Sequence, residues 1–215
     1  MNEVKEKYLS VVLTLPNEQK PLGTSVLLHA CCAPCSAAIV ESMLRNGMKP
    51  TVFFCNPNIY PLEEYAVRKA EIIRFLLRQE VPFVEDTYEH AHWQEKIKGF
   101  EGEPERGIRC ERCFEFRLRR TAKYAMDHGF SLFTTTLASS RWKNLNQINT
   151  AGRMAAATVD GVTFWEQNWR RGGLQDRRRE LLLENNFYNQ LYCGCEFSLR
   201  ARQEKIEKEL NSNPT

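Results

Sequence analysis

Short apolar runs alternate along this chain with longer stretches whose apolar positions recur at helical spacing. The run Ser25–Ala30 reads as a strand, and helix-compatible sequence follows over Pro34–Asn46. A second strand, Thr51–Cys55, leads through Asn56-Pro57-Asn58-Ile59-Tyr60-Pro61 into a helix over Leu62–Glu80. In that helix Leu62, Tyr65, Ala66, Ile73, Leu76 and Leu77 predict one buried face. Pro82–Glu85 reads as a third strand. His90–Arg109 holds Gly99, Gly102, Pro104 and Gly107 and reads as a polar connector. A helix over Cys110–His128 stops at Gly129. Strand Phe130–Thr135, helix Lys143–Ala157 and strand Val162–Trp165 follow, and a last helix covers Phe197–Leu210. Glu166–Arg179 is basic and glycine-containing, and is expected to be a loop that orders when substrate binds.

Strands that alternate with helices imply an α/β domain with a mainly parallel sheet. Crossover connections then bring the strand-to-helix loops to one edge, where open sheets of this kind bind ligands. Cys31–Cys35, Asn56–Asn58, Thr134–Thr136 and Glu166–Trp169 all follow predicted strands, so they are expected to share that edge. Residues 25–210 are read as a single catalytic domain, preceded by a peripheral extension over 1–24 and followed by a polar tail over 211–215.

The apolar fraction of 42% supports a full core, so disulfides are not needed in its place. No apolar run approaches the roughly 18 residues of a membrane span. The opening residues are charged with both signs and lead into no signal-type apolar core, which predicts a cytoplasmic protein. The net charge of +3 is small, but its distribution is uneven. Arg106–Lys123 carries seven basic residues against two acidic ones, and Gln167–Arg179 carries five arginines against Asp176. Two basic blocks beside cysteines and tryptophans suit a polyanionic substrate, or else are solvated helix faces.

Chemistry enters with the eight cysteines. Cys55 sits alone in an apolar strand and reads as a small buried residue. The other seven fall in three tight groups: Cys31, Cys32 and Cys35; Cys110 and Cys113; Cys193 and Cys195. The first group stands where a strand gives way to a helix, and a helix N-terminus favours thiolate. In a reducing compartment such groups point to metal binding or thiol catalysis rather than a disulfide framework, although Cys193-Gly194-Cys195 could form an oxidised pair. Four thiols close a zinc site or hold a cubane iron–sulfur cluster. Three then remain, the number an open second site takes from the protein. The all-sulfur set admits zinc and iron alike.

Leu28–Cys35, Phe54–Ile59, Glu64–Arg68, Arg109–Phe114, Thr134–Leu137 and Gln190–Cys195 together resemble the QueH-type epoxyqueuosine reductases, over about Ser25–Leu199. The resemblance implies a Rossmann-like domain related to the adenine-nucleotide α-hydrolase group. It implies that the epoxide of epoxyqueuosine, at the wobble position of tRNA with a GUN anticodon, is reduced to the alkene of queuosine without cobalamin. It implies a 4Fe-4S cluster with an additional mononuclear iron beside it. That iron can take two cysteines, a carboxylate and a sulfide, and the carboxylate's place is occupied here by Cys35. The seven cysteines then divide as four for the cluster and three for the iron, with the placement of Cys31 and Cys32 between the two left open.

On this reading Cys35 is a candidate catalytic residue through the open iron. Tyr65, Tyr192, Glu64 and His29 lie near the motifs as candidate proton donors, with Tyr65 and Tyr192 carried forward. Arg109, Arg112, Arg117, Lys143, Arg170 and Arg171 are candidate phosphate contacts. Trp142, Trp165 and Trp169 are candidate stacking platforms for an extruded base, Trp165 being the most core-like. Asn56 and Asn58 flank Pro57 and either shape a turn or hold substrate. No flavin or nicotinamide fingerprint is present, so electrons are expected from a separate low-potential donor. Two other readings of the cysteines are a thiol–disulfide oxidoreductase using Cys32 and Cys35, and a zinc-stabilised RNA-binding module.

Overall fold

Five parallel strands form one sheet in the order β3-β2-β1-β4-β5. They are β1 (Ser25–His29), β2 (Lys49–Phe54), β3 (Phe83–Glu85), β4 (Leu132–Thr135) and β5 (Thr163–Phe164). The computed structural model describes Tyr8, residues 11–16 and residues 21–212. Seven α-helices accompany the sheet among these residues: α1 (Ala33–Arg45), α2 (Leu62–Arg78), α3 (His90–Ile97), α4 (Ile108–Asp127), α5 (Leu145–Ala156), α6 (Leu174–Glu184) and α7 (Glu196–Ser212). The expected α/β class is thus found. No helix among the described residues is long and apolar enough to cross a membrane.

The central strand is apolar because both of its faces are covered. Val26, Leu27 and Leu28 are fully buried, as are Phe133 on β4 and Phe54 on β2. Each such side chain contributes about 1.5–3 kcal/mol by leaving water. From β1 the chain builds outward to β2 and β3, then returns to place β4 on the other side of β1. The order therefore reverses between β1 and β4, where Leu27 pairs with Phe133 and His29 with Thr135. Such a reversal opens a crevice at the carboxyl ends of the strands. His29 seals the crevice floor. It is fully buried, with Nδ1 2.7 Å from Thr135 Oγ1 and Nε2 3.1 Å from the Cys55 carbonyl. A carbonyl only accepts, so Nε2 carries the proton and Thr135 donates to Nδ1. Burial lowers the His29 pKa to about 3 and keeps the ring neutral.

Three departures from the expected pattern affect the site. Residues expected as a polar connector include helix α3, which buries Trp93 and Ile97. Two apolar anchors in eight residues are too few to stand out among His, Gln, Glu and Lys. The expected substrate-ordered loop Glu166–Arg179 is instead built into the fold. Gly173 takes a left-handed conformation (φ 76°) that starts α6, and Leu174 and Leu181 anchor that helix. The buried face of α2 is also rotated from the one expected: Leu62 and Leu77 are exposed, and Tyr65, Arg68, Ile72, Phe75 and Leu76 are buried. An arginine on the inner face is invisible to a count of apolar positions. Of the stretch 1–24, Tyr8, Leu13 and Leu15 pack into the main core. Of the expected tail, residues 211–212 extend α7 and the rest lie outside the described residues.

Candidate metal centre

The first turn of α1 lies at the crevice between β1 and β4. Cys31 precedes this helix, Cys32 is its N-cap residue, and Cys35 lies in its first turn behind Pro34. The three sulfurs lie within 4.8 Å of one another, and all three residues are buried. Cys31 is tied to the end of β4: its N–H donates to Thr136 Oγ1 at 3.4 Å, and that hydroxyl donates to Cys31 Sγ at 3.7 Å. Hydrogen bonds from the Cys32 and Cys35 thiols hold Cys31 well below the usual thiol range, while donating to Cys31 pushes Cys32 and Cys35 up. Three sulfurs this close together form a set that suits a soft metal.

The other four thiols come from two directions. Cys110 and Cys113 lie one turn apart at the start of α4, and Cys193 and Cys195 flank Gly194 just before α7. Cys113 and Cys195 pack with Trp93 and Ile97 of α3, the helix that was read as a connector. Among the described residues the structure gathers only Cys31, Cys32 and Cys35 closely enough to share a metal; Cys110, Cys113, Cys193 and Cys195 influence one another through charge. Burial pushes Cys110 up to about 12 and Cys195 to about 11, so a metal binding here releases protons.

Both groups open on one cavity of about 690 Å³, lined among others by Cys31, Cys35, Cys110, Cys193 and Cys195. Lys143 lines it too. Burial opposes its charge, but the sulfurs of Cys193, Cys31 and Cys35 outweigh burial and raise its pKa. Arg106, Arg117, Arg141, Arg178 and Arg202 also line the cavity, and none has a carboxylate partner among the described residues. Glu105 is the one acidic lining residue there. The cavity is therefore a cationic mouth over a floor of thiols.

The remaining candidates divide sharply. Asn58 lines the cavity, and its buried Oδ1 has no partner among the described residues. Asn56 is committed to the fold: its Nδ2 donates to the Ala30 carbonyl at 2.8 Å and its Oδ1 accepts from Arg117 Nη2 at 2.5 Å. Arg109 lines the cavity over the Phe197 ring and donates to the Glu101 carbonyl at 2.6 Å. Arg112 pairs with Glu115 around a separate shallow hollow beside Phe116. Arg170 donates to the Lys143 carbonyl at 2.8 Å and so supports the backbone of that lysine. Trp169 is 1% exposed and meets Trp165 edge-on, and Trp165 Nε1 donates to the Thr14 carbonyl. Trp142, 67% exposed at the cavity mouth, is the tryptophan with a free face.

Each proton-donor candidate has a partner. Tyr65 Oη donates to Glu85 at 2.8 Å, away from the cavity, and burial and that carboxylate raise its pKa. Tyr192 Oη donates to the Tyr60 carbonyl at 2.6 Å, and burial pushes it up to about 12. Glu64 pairs with Arg68. Sequence reasoning passed over Gln190 and Arg68 as site residues. Both lie inside the quoted motif stretches, which was the available signal. Gln190 Nε2 donates to Cys32 Sγ at 3.2 Å.

A switch-point crevice floored by clustered thiols and rimmed by unpaired cations defines an α/β protein with a metal-competent thiol centre. The family model described as "Epoxyqueuosine reductase QueH" matches residues 26–201. The chain is 47% identical to the epoxyqueuosine reductase QueH of Histophilus somni over 186 residues, 86% of this chain and 76% of that protein. It is 45% identical to that of Acinetobacter baylyi over 190 residues, covering 88% and 85%. It is 37% identical to that of Thermotoga maritima over 187 residues, covering 86% and 94%. The chain belongs to the QueH family of epoxyqueuosine reductases.

Proposed function

We propose that this chain reduces the epoxide of epoxyqueuosine at the wobble position of tRNA with a GUN anticodon, giving queuosine in the cytoplasm. The observation that carries this reading is the convergence of thiols from three distant segments on one cationic cavity, which Cys31, Cys35, Cys110, Cys193 and Cys195 line. The reaction consumes the epoxide, two electrons and two protons, and yields the alkene and water. Electrons come singly from a separate low-potential donor protein.

Soft sulfur donors are what a 4Fe-4S cluster and an additional iron require; the seven thiols would supply four ligands and three, and the Cys31, Cys32 and Cys35 sulfurs already lie close enough to share a metal. When bound, these groups supply single electrons and a Lewis-acidic iron. Cys35 is a ligand to that open iron. Lys143 lines the same cavity as the thiols, and its ammonium group would hydrogen-bond the departing oxygen. Asn58 Oδ1 is free to accept from a ribose or cyclopentane hydroxyl. The cations at the mouth hold phosphates of the anticodon loop, and Trp142 offers a face for a splayed base. A loop of single-stranded RNA presents the modified base without opening a duplex.

Anaerobic purification followed by a visible spectrum and iron, sulfide and zinc analysis tests the reading. A brown protein with about four to five irons and acid-labile sulfide per chain, active on epoxyqueuosine-tRNA with a chemical reductant, is expected. A colourless protein holding only zinc would overturn it in favour of an RNA-binding module. Activity that survives chelation and air would instead favour thiol–disulfide chemistry through Cys32 and Cys35.

A further inference from the structure

Tyr192–Cys195 carries two of the seven thiols but forms neither helix nor strand. Its place is set by a side chain from α2, 125 positions earlier in the chain. Arg68 is 2% exposed; its Nη1 donates to the Cys193 carbonyl at 3.1 Å and its Nη2 to the Tyr192 carbonyl at 3.3 Å. Glu64, one turn before it, orients the guanidinium: Oε1 accepts from Nε at 2.8 Å and from Nη2 at 2.7 Å. Glu64 Oε2 in turn accepts from Tyr188 Oη at 2.8 Å, which ties the same carboxylate to the segment leading into the loop. The guanidinium also lies within electrostatic range of Cys32 and Cys31.

We propose that Arg68 is a positioning residue of the metal centre: its fixed fork of donors seats the Tyr192–Cys195 backbone so that the Cys193 and Cys195 sulfurs present to metal. The proposal rests on the thiol-centre reading given above. A buried ion pair costs desolvation that an aliphatic side chain would avoid, so packing alone does not account for an arginine here. Only a planar, multiply donating group reaches two consecutive carbonyls while remaining locked to a carboxylate. Gly194 shows how closely the two parts fit. A Cβ there would lie 3.0 Å from Arg68 Nη1 and 3.3 Å from Ile59 Cγ1, at a φ of +131° that side chains rarely adopt. The Gly194 carbonyl accepts from the Tyr60 N–H at 2.8 Å, which closes the seat from the other side.

Cobalt(II) titration of the metal-free chain tests this without any turnover, through thiolate charge-transfer absorbance. The component lost in Cys193→Ser is the one that Arg68 should control. Arg68→Gln is expected to weaken that component by roughly 10–100-fold, the usual effect of removing a group that orients a ligand, and Arg68→Lys by less. Gly194→Ala should reproduce the defect from the loop side with the Arg68–Glu64 pair intact. The cobalt component that survives in Cys193→Ser should be unchanged in all three variants, a selectivity that a general loss of folding would not give. Lys69→Gln, which breaks the neighbouring α2 ion pair with Glu85, should leave both components unchanged. Wild-type cobalt binding in both Arg68→Gln and Gly194→Ala overturns the proposal. Equal weakening of both components also overturns it, since Arg68 would then only support the fold. Identical titrations of Cys193→Ser and wild type would overturn the underlying metal reading of this loop.

Discussion

Gln190 Nε2 donates to Cys32 Sγ at 3.2 Å, which joins the segment before the Cys193–Cys195 pair to the thiol group at the start of α1. The same nitrogen lies 3.8 Å from Cys35 Sγ. A donor aimed at a ligand sulfur orients it and stabilises its charge. Gln190→Leu keeps similar bulk without the donor. It is expected to speed metal loss to a chelator by about tenfold, measured as iron per chain against time.

Cys35 is the member of its group that reaches furthest into α1, and it lines the cavity together with Cys31. If Cys35 holds the proposed open iron, Cys35→Ala retains most of the visible absorbance of the proposed cluster and abolishes turnover of epoxyqueuosine-tRNA. Unchanged turnover would remove the open iron from the account.

Arg178 on α6 and Arg202 on α7 line the cavity mouth without a carboxylate partner among the described residues. If each holds one phosphate, Arg178→Ala and Arg202→Ala each lower the slope of log affinity for tRNA against log salt by about 0.7–0.9. Filter binding at several salt concentrations measures this. A slope equal to wild type in both would place the RNA elsewhere.

Asp86 and Arg120 join the end of β3 to α4 through two contacts, at 2.5 and 2.7 Å. Burial raises the carboxyl pKa, but the Arg120 and Cys55 hydrogen bonds and the Arg120 charge outweigh it and leave it below the usual 3.8. A depressed carboxylate stabilises the fold above its unfolded pKa, and the contribution is lost as the pH falls through the folded value. Asp86→Asn should therefore cost roughly 1–3 kcal/mol at pH 7, and the gap to wild type should narrow below about pH 4. Urea unfolding of the metal-free chain at both pH values checks this. A gap that widens in acid would contradict the assignment.

Gly152 on α5 faces the Phe164 ring of β5 with no room for a Cβ. Gly152→Ala is expected to destabilise by about 1–3 kcal/mol through overpacking, despite its better helix propensity. Phe164→Leu in the same chain should recover part of that loss, which a double-mutant cycle in urea would show as coupling.

Most of the frame was legible in the pattern of the chain. Fully buried strands such as Val26–Leu28 leave an apolar run, and α1 and α4 announce themselves by length and by their glycine or asparagine stops. The cysteine grouping was legible as well, because ligand chemistry needs thiols and spacing keeps them in pairs. Helix α3 was not legible, since its two anchors, Trp93 and Ile97, are justified only by the Cys113–Cys195 pocket they fill. Nor was the loss of Trp169 to the core, which follows from its edge-on contact with Trp165 and the Thr14 carbonyl that fixes the latter.

The amino-acid sequence by itself determined that this is an α/β protein with its first thiol group at a strand end, because strand and helix periods and turn chemistry act over a few residues. It determined which residue types could hold metal and which could meet phosphate. Tertiary structure alone decided which of them meet. Arg68, 125 positions before Cys193, reaches its carbonyl only because α2 turns an arginine inward. Lys143 shares a cavity with Cys31 and Cys35 only because β4 returns beside β1. Contacts between distant segments are set by the packing of whole elements, and local sequence carries no direct record of that packing.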